Sequence, residues 1–432
     1  MNTNIISNNS SPQPPPGGLL PQPQAWIGLD WGDKKHAFAL QDGSGQSESG
    51  TIDHSAENLH QWLGQLAQRY GGRPVALALE AQRGAVVPAL LQYPWLIIYP
   101  INPVTSARYR TAFTPSGAKD DLPDAQVLLE LVRYHAAKLR PLEAQEPATV
   151  KLAGLVEARR RMVDHRTALL NQITSLLKTY YPQALELVGD LDTDLAVAFL
   201  SRWPDLISLK ASKPATIKAF YYQHQIRSTE LVQKRLALIA QAVALTTDEA
   251  RVSVAILELR QALDQLRVFQ KHIPLLNGEI KAVFASHPNA ALFRELPGAG
   301  PQLAPRLCVA FGTIQSLYPD PASLQKYVGV APVREKSGNQ IWTHWRWRAP
   351  AFLRQTFVEW AGQTVRYSSW AHTYYERMVN KGHKHAAILR SLAFKWIRIL
   401  WKCWHDHTPY DEARYLQQLI HRKSPNAPAS KI

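Results

Sequence analysis

Trp26-Ile27-Gly28-Leu29-Asp30-Trp31-Gly32-Asp33-Lys34-Lys35-His36-Ala37-Phe38-Ala39-Leu40 is a short apolar run that sets one carboxylate, Asp30, at its end and then turns back on itself. A carboxylate at the tip of a buried strand is costly unless it is neutralised, and a divalent cation neutralises several such groups together. Val75-Ala76-Leu77-Ala78-Leu79-Glu80 repeats the device. Lys119-Asp120-Asp121-Leu122-Pro123-Asp124-Ala125 adds acids at a helix start, with Pro123 suited to a first turn. Asp121 and Asp124 are three apart and share one helix face, where like charges repel and a metal would remove the repulsion. The helix dipole alone explains an acid at Asp120 or Asp121, but not the two strand-end acids. Asp30, Glu80, Asp121 and Asp124 therefore form a four-carboxylate set suited to metal-assisted phosphoryl transfer; one or two structural acids in a nucleotide-binding fold are the other reading.

Around this stretch the pattern predicts strands over 26–31, 35–40 and near 49–52, with a turn at Asp42-Gly43-Ser44-Gly45. A helix over 56–70 closed by Gly71-Gly72 follows, then a strand at 75–80, a helix over 84–92 and a strand at 95–100. This is a mixed α/β sheet with Asp30 and Glu80 at strand ends, where ligand crevices form. Residues 1–24 are Asn, Ser, Pro, Gly and Gln with few large apolar groups, and read as a disordered tail.

The chain has 432 residues and a formal net charge of +15, which asks for a polyanionic partner. From Val330 onward there are 17 Lys/Arg against 6 Asp/Glu, and 8 of the 13 Trp. Basic residues interleaved with aromatics suit phosphate neutralisation and base stacking; a helical domain with a basic rim and a Trp-rich core is the alternative. Two cysteines, Cys308 and Cys403, give no disulfide framework, so a reducing, cytoplasmic setting is expected. No run approaches the ~20 apolar residues of a membrane span, and a soluble protein is expected.

Residues 146–285 carry almost no glycine and read as long helices, 152–177 and 230–272 among them, paired as a coiled coil within or between subunits. A break is expected near 204–214 and a short helix within 190–203. Leu296-Pro297-Gly298-Ala299-Gly300-Pro301 then makes a glycine turn between helices, resembling a helix-hairpin-helix. Gly298 and Gly300 would let backbone amides approach a phosphate, although an ordinary turn uses the same residues. Gly329-Val330-Ala331-Pro332-Val333-Arg334-Glu335-Lys336-Ser337-Gly338 places a serine among basic groups, and most loop serines merely make turns. His383, His385, His405 and His407 are too irregularly spaced for zinc and are expected at the surface.

Taken in order, strand-Asp30, strand-Glu80, Lys119-x-Asp121-x-x-Asp124-Ala125, Leu296-Pro297-Gly298-x-Gly300 and Gly329-x-x-Pro332-x-x-x-x-Ser337-Gly338 resemble the DEDD transposases of bacterial insertion sequences. These are bridge-RNA-guided recombinases with a RuvC-like N-terminal domain and a serine-bearing C-terminal transposase domain. The resemblance covers about residues 25 to 410. It implies an α/β RNase H/RuvC-like domain over 25–145, a helical coiled-coil region over 146–288, a mainly α-helical transposase domain over 289–415 and a C-terminal tail over 416–432. It further implies Mg²⁺ on Asp30, Glu80, Asp121 and Asp124, and Ser337 as the nucleophile on DNA. Double-stranded donor and target DNA, a guide RNA, a homodimer or homotetramer and a bacterial, nucleoid-associated location are implied as well. Lys336, Arg346, Arg348 and Arg354 are expected on nucleic acid from charge and position, with a solvated helix face the alternative for Arg354. The chain departs from the family in its longer tail and helical middle, in the extra acid Asp120, and in Trp342-Thr343-His344-Trp345-Arg346-Trp347-Arg348 where a Gly- and Arg-rich segment is usual. Two rivals stay open: a RuvC-like nuclease using water, and a non-catalytic nucleic-acid-binding protein.

Overall fold

The computed structural model describes residues 22–80, 84–113 and 121–426, in two compact units, Met1–Ala144 and Gln145–Ile432. The expected tail lies almost wholly outside the described residues.

The first unit runs β1 (Ala25–Trp31), β2 (Lys35–Asp42), β3 (Ser47–Asp53), α1 (Ala56–Tyr70), β4 (Val75–Leu79), α2 (Val86–Leu90), β5 (Leu96–Pro100), α3 (Pro103–Phe113) and α4 (Asp121–His135). The strands form one sheet in the order β3-β2-β1-β4-β5, with β2 antiparallel to both β1 and β3, and β4 and β5 parallel to β1 and to one another. The anticipated hairpins and alternation are therefore present. Ser55 accepts the Asn58 N–H to start α1, and Gly71, at φ 59°, ends it in the left-handed conformation. The helix expected over 84–92 is shorter, because Gly84 at φ 118° lies outside helical space and Pro94 blocks continuation.

The two faces of this sheet differ in side-chain size. Ile27, Leu29, Phe38, Leu77, Leu79 and Ile98 pack against Leu59, Leu63 and Leu66 of α1 and Val86 and Leu90 of α2. On the opposite face stand Gly28, Ala37, Ala39, Ala76 and Ala78, covered by Ala125, Leu128, Leu129 and Val132 of α4. Large residues alternate with small ones along β2 and β4, since successive side chains point to opposite faces. The small-residue floor lets α4 lie close to the sheet.

The second unit opens with α5 (Pro147–Tyr180). It continues through the shorter α6 (Gln183–Val188), α7 (Asp194–Arg202), α8 (Leu206–Lys210), α9 (Pro214–Gln223) and α10 (Thr229–Gln241) to the long α11 (Glu249–Ala285). α5 and α11 pair within the chain: Lys151 bridges to Glu279 and Arg159 reaches Asn277. α6 to α10 close one end of the pair around Phe199, Trp203, Phe220 and Tyr221. The helix expected over 230–272 is interrupted between Gln241 and Glu249, where Asp248 accepts the Ala250 and Arg251 N–H groups and starts α11 afresh.

The rest is α12 (Ala290–Arg294), α13 (Gly300–Phe311), α14 (Pro321–Val328), a β6 (Val333–Ser337)–β7 (Gln340–His344) hairpin, α15 (Ala351–Tyr367), α16 (Ser369–Asn380), α17 (His385–His405) and α18 (Glu412–His421). Trp360, Trp370, Trp396 and Trp404 are fully buried, with the Trp396 ring 4.8 Å from Trp360 and 4.6 Å from Trp370. Each indole needs an acceptor when buried. Trp396 donates to Thr364, Trp360 to the Pro297 carbonyl and Trp404 to the Gly312 carbonyl. Half of the C-terminal tryptophans thus form core, while Trp342 and Trp347 remain exposed. Among the described residues no helix is long and apolar enough to cross a membrane.

Candidate active site

Leu29 of β1 pairs with Leu79 of the parallel strand β4, so Asp30 and Glu80 are the next residues along two adjacent strands. By alternation both belong to the face carrying Gly28, Ala76 and Ala78, the face that α4 covers. Asp30 is half-buried and Glu80 is exposed. Asp124 sits in the first turn of α4, its side chain 16 % exposed, immediately before the Ala125 that rests on Gly28. Three of the four expected carboxylates therefore come from two strand ends and one helix start on the same side of one sheet. Asp121 opens α4, but its side chain lies outside the described residues, as does Asp120 altogether.

Two groups missed in the sequence stand on α3. Asn102 accepts the Val104 N–H and starts the helix, and the Ile101 N–H donates to the Leu79 carbonyl, which anchors α3 beside Glu80. One turn apart on one face of α3, the buried Ser106 hydroxyl donates to Glu80 and the Arg110 guanidinium pairs with Asp124. Their i, i+4 spacing behind Asn102-Pro103 shows in the sequence only that they share a helix face. Oxygen donors of this kind suit a hard divalent cation. Among the described residues no three His, Cys, Asp or Glu side chains already converge as a metal cage, and Arg110 holds the positive charge at Asp124.

In the second unit Ser337 ends β6 and pairs with Gln340 across the two-residue turn Gly338-Asn339, where Gly338 takes φ 58°. From Arg334 to His344 every residue is exposed, and the serine hydroxyl has no hydrogen-bond partner among the described residues. Glu335, Ser337, Trp342 and His344 share one face of the ribbon. Glu335 accepts from the Trp342 indole at 2.8 Å and meets His344 Nε2 at 2.8 Å. These bonds hold the Glu335 carboxyl low, and the bond to Glu335 raises the His344 imidazole. Lys336 points to the other face, opposite Ile341.

The remaining expected nucleic-acid residues divide. Gly298 (φ 68°) is packed on α15: a Cβ there would stand 2.9 Å from Gln363 and from Tyr367, so close packing accounts for this glycine. Gly300, at φ 54°, faces open space. Arg348 is exposed. Arg346 is half-buried and donates to the Ala331 carbonyl, while Arg354 donates to the Arg346 carbonyl and, with Arg390, lies over the Trp345 ring. Arg354 is thus tied inward rather than solvated. His383, His385, His405 and His407 are exposed, as expected.

An IS110-type DEDD transposase family model matches residues 27–182, and a second, described as transposase IS116/IS110/IS902 family, matches residues 290–376. The chain belongs to the IS110/IS116/IS902 transposase family. It is 27% identical over 412 residues to a Streptomyces coelicolor protein described as the mini-circle transposase for IS117, covering 91% of this chain and 97% of that one. An insertion element IS110 protein of 43.6 kDa from the same organism is 23% identical over 390 residues, 89% of this chain and 95% of its own. A transposase-like protein of Sinorhizobium fredii is 28% identical over 214 residues, 49% of this chain and 59% of its own. This IS110-family transposase is accordingly an enzyme acting on DNA, its first unit the RNase H-like DEDD domain seen in the β3-β2-β1-β4-β5 sheet.

Proposed function

We propose that this transposase cuts and rejoins DNA through Ser337, with Asp30, Glu80, Asp121 and Asp124 holding Mg²⁺ and a guide RNA choosing the sites. The observation that carries the reading is the placing of Asp30 and Glu80 side by side at parallel strand ends under the helix that starts with Asp121 and Asp124. Bound there, Mg²⁺ supplies charge stabilisation at an attacked phosphate.

The chain's own residues divide the remaining work. The Ser337 hydroxyl, at an exposed hairpin tip, bonds to phosphorus and gives its proton to a base; the displaced sugar oxygen leaves with a proton. The phosphoserine link conserves the bond for rejoining in the reverse step. Ser106 orients the Glu80 carboxylate, and Arg110 must release Asp124 before that carboxylate can bind a metal. The +15 charge and the basic last quarter suit binding of RNA and DNA through their backbones, leaving sequence choice to base pairing. A serine carried on a projecting ribbon suits service in an acidic site of another subunit, in a dimer or tetramer.

The test is a denaturing gel for a protein–DNA adduct, using protein expressed with its flanking element DNA, beside Ser337→Ala and Asp30→Ala. An adduct in the parent chain that is lost in both variants supports the proposal. Mg²⁺-dependent nicking without an adduct, retained by Ser337→Ala, makes water the nucleophile. Sequencing of co-purified RNA tests the guide: without a single enriched RNA, that part fails.

A further inference from the structure

Beyond both regions matched by the family models, α17 and α18 enclose a cleft of about 1210 Å³. Lys395, Arg398 and Lys402 line it from α17, and Arg414 and Arg422 from α18 and its end. Its acids are already engaged. Asp406 pairs with Lys402 at 2.7 Å and with His405. Asp411 accepts the Arg414 N–H as the α18 cap. Glu412 accepts from the Tyr410 and Ser368 hydroxyls and the Ser369 N–H.

Apart from Lys402, the cations are not so engaged. Arg398, Arg414 and Arg422 are exposed, and none of them has an ion pair with its side chain among the described residues. Lys395 lies over the Tyr374 ring with Arg377 on the same ring, an arrangement of like charges around one aromatic face. Burial and the neighbouring Arg377 and Arg398 push the Lys395 ammonium down, and among the described residues it has no ion pair. Half-buried Tyr410 and Tyr415 complete the wall. Such a row of cations with aromatic rings beside it matches a phosphodiester backbone. Aromatic rings beside such cations stack on unpaired bases, whose faces a duplex keeps inside its own stack, so the cleft suits a single strand.

We infer that the α17–α18 cleft binds a single nucleic-acid strand by its backbone, at a site separate from the acidic centre and the serine hairpin. The inference rests on the proposed nucleic-acid chemistry of this protein. The test uses the full chain and its R398E/R422E and R398K/R422K variants in a salt titration of binding to labelled single-stranded RNA and DNA of one sequence and to the matching duplex. Thermal melting checks that each variant is folded. The expected result is about tenfold or more weaker single-strand binding by R398E/R422E, with a shallower salt slope. R398K/R422K should keep both, and duplex binding should change little. Unchanged single-strand affinity and slope in folded R398E/R422E overturn the inference, as does a loss confined to the duplex. If the parent chain binds none of the three probes, the proposed function itself fails, an outcome distinct from either.

Discussion

Gly28 lies directly beneath Ala125: a Cβ on Gly28 would stand 1.9 Å from the Ala125 carbonyl oxygen and 2.4 Å from the Leu129 nitrogen. Both obstacles are backbone, so α4 cannot yield by turning a side chain. The glycine sets the height of α4 above the sheet, and with it the reach of Asp124 toward Asp30 and Glu80.

Gly28→Ala should therefore cost more than the usual 1–3 kcal/mol of an overpacked core. Urea unfolding of the full chain would show it as a lowered midpoint of the first unit, and DNA cleavage should fall at concentrations of urea where the sheet is still folded. A variant as stable and as active as the parent would refute this role of Gly28.

Arg110 neutralises Asp124 where the proposed metal would. Arg110→Ala removes the competitor and should strengthen Mn²⁺ binding several-fold in calorimetry, whereas Asp124→Asn should weaken it. Equal or weaker Mn²⁺ binding by Arg110→Ala would mean that Arg110 supports the site rather than holding it closed.

His36 is fully buried, stacked 3.6 Å from Trp31, with its Nε2 3.2 Å from His54 Nδ1; burial first, and then His54, lower its imidazole below the usual histidine range. His287, buried against Thr149 and Cys308, is lowered by burial as well, with Glu146 opposing. A histidine depressed in the fold takes up its proton more readily when unfolded. Stability is then unaffected above the ordinary histidine value of about 6.5 and declines as pH falls below it. Urea midpoints should drop from neutral to mildly acidic pH, and less steeply in His36→Phe, which retains an aromatic ring for Trp31. An identical slope in the two proteins would exclude His36 as a source.

Glu359 takes one bond from Arg306 at 2.7 Å and one from Arg160 at 3.1 Å, and Arg306 is only 7 % exposed. Glu359→Gln leaves that guanidinium without its counter-charge. The expected loss is about 2–3 kcal/mol, below the full range for a buried pair because Glu359 is itself partly open to water. Arg306→Met combined with Glu359→Gln should recover part of it, which denaturant midpoints of the three variants would establish.

The strands were legible because their residues alternate, and the two strand-end acids because a carboxylate after an apolar run is conspicuous. The meaning of the alternation was less so. Val75-Ala76-Leu77-Ala78-Leu79 reads as one buried strand, and only the pairing of Ala78 with Gly28, itself paired with Ala39, shows that its small residues form the bed of α4. Ser106 and Arg110 were missed because a serine and an arginine in an ordinary helix carry no mark of the carboxylates they meet, which lie 26 and 14 residues away. The break before Asp248 was missed because Leu- and Ala-rich sequence on both sides keeps helical spacing. The tryptophans could be read as core or as stacking platforms, and burial assigns Trp360, Trp370, Trp396 and Trp404 to the core.

The β6–β7 ribbon has two strands, both of them edges, with water on nearly every residue. A ribbon of this kind has little stability of its own. On the proposed chemistry, rigidity at Ser337 has to be lent by whatever the ribbon docks against, and an unassembled chain would hold its nucleophile poorly for attack. Reactivity would then be a property of the proposed assembly, a safeguard against stray cutting of DNA.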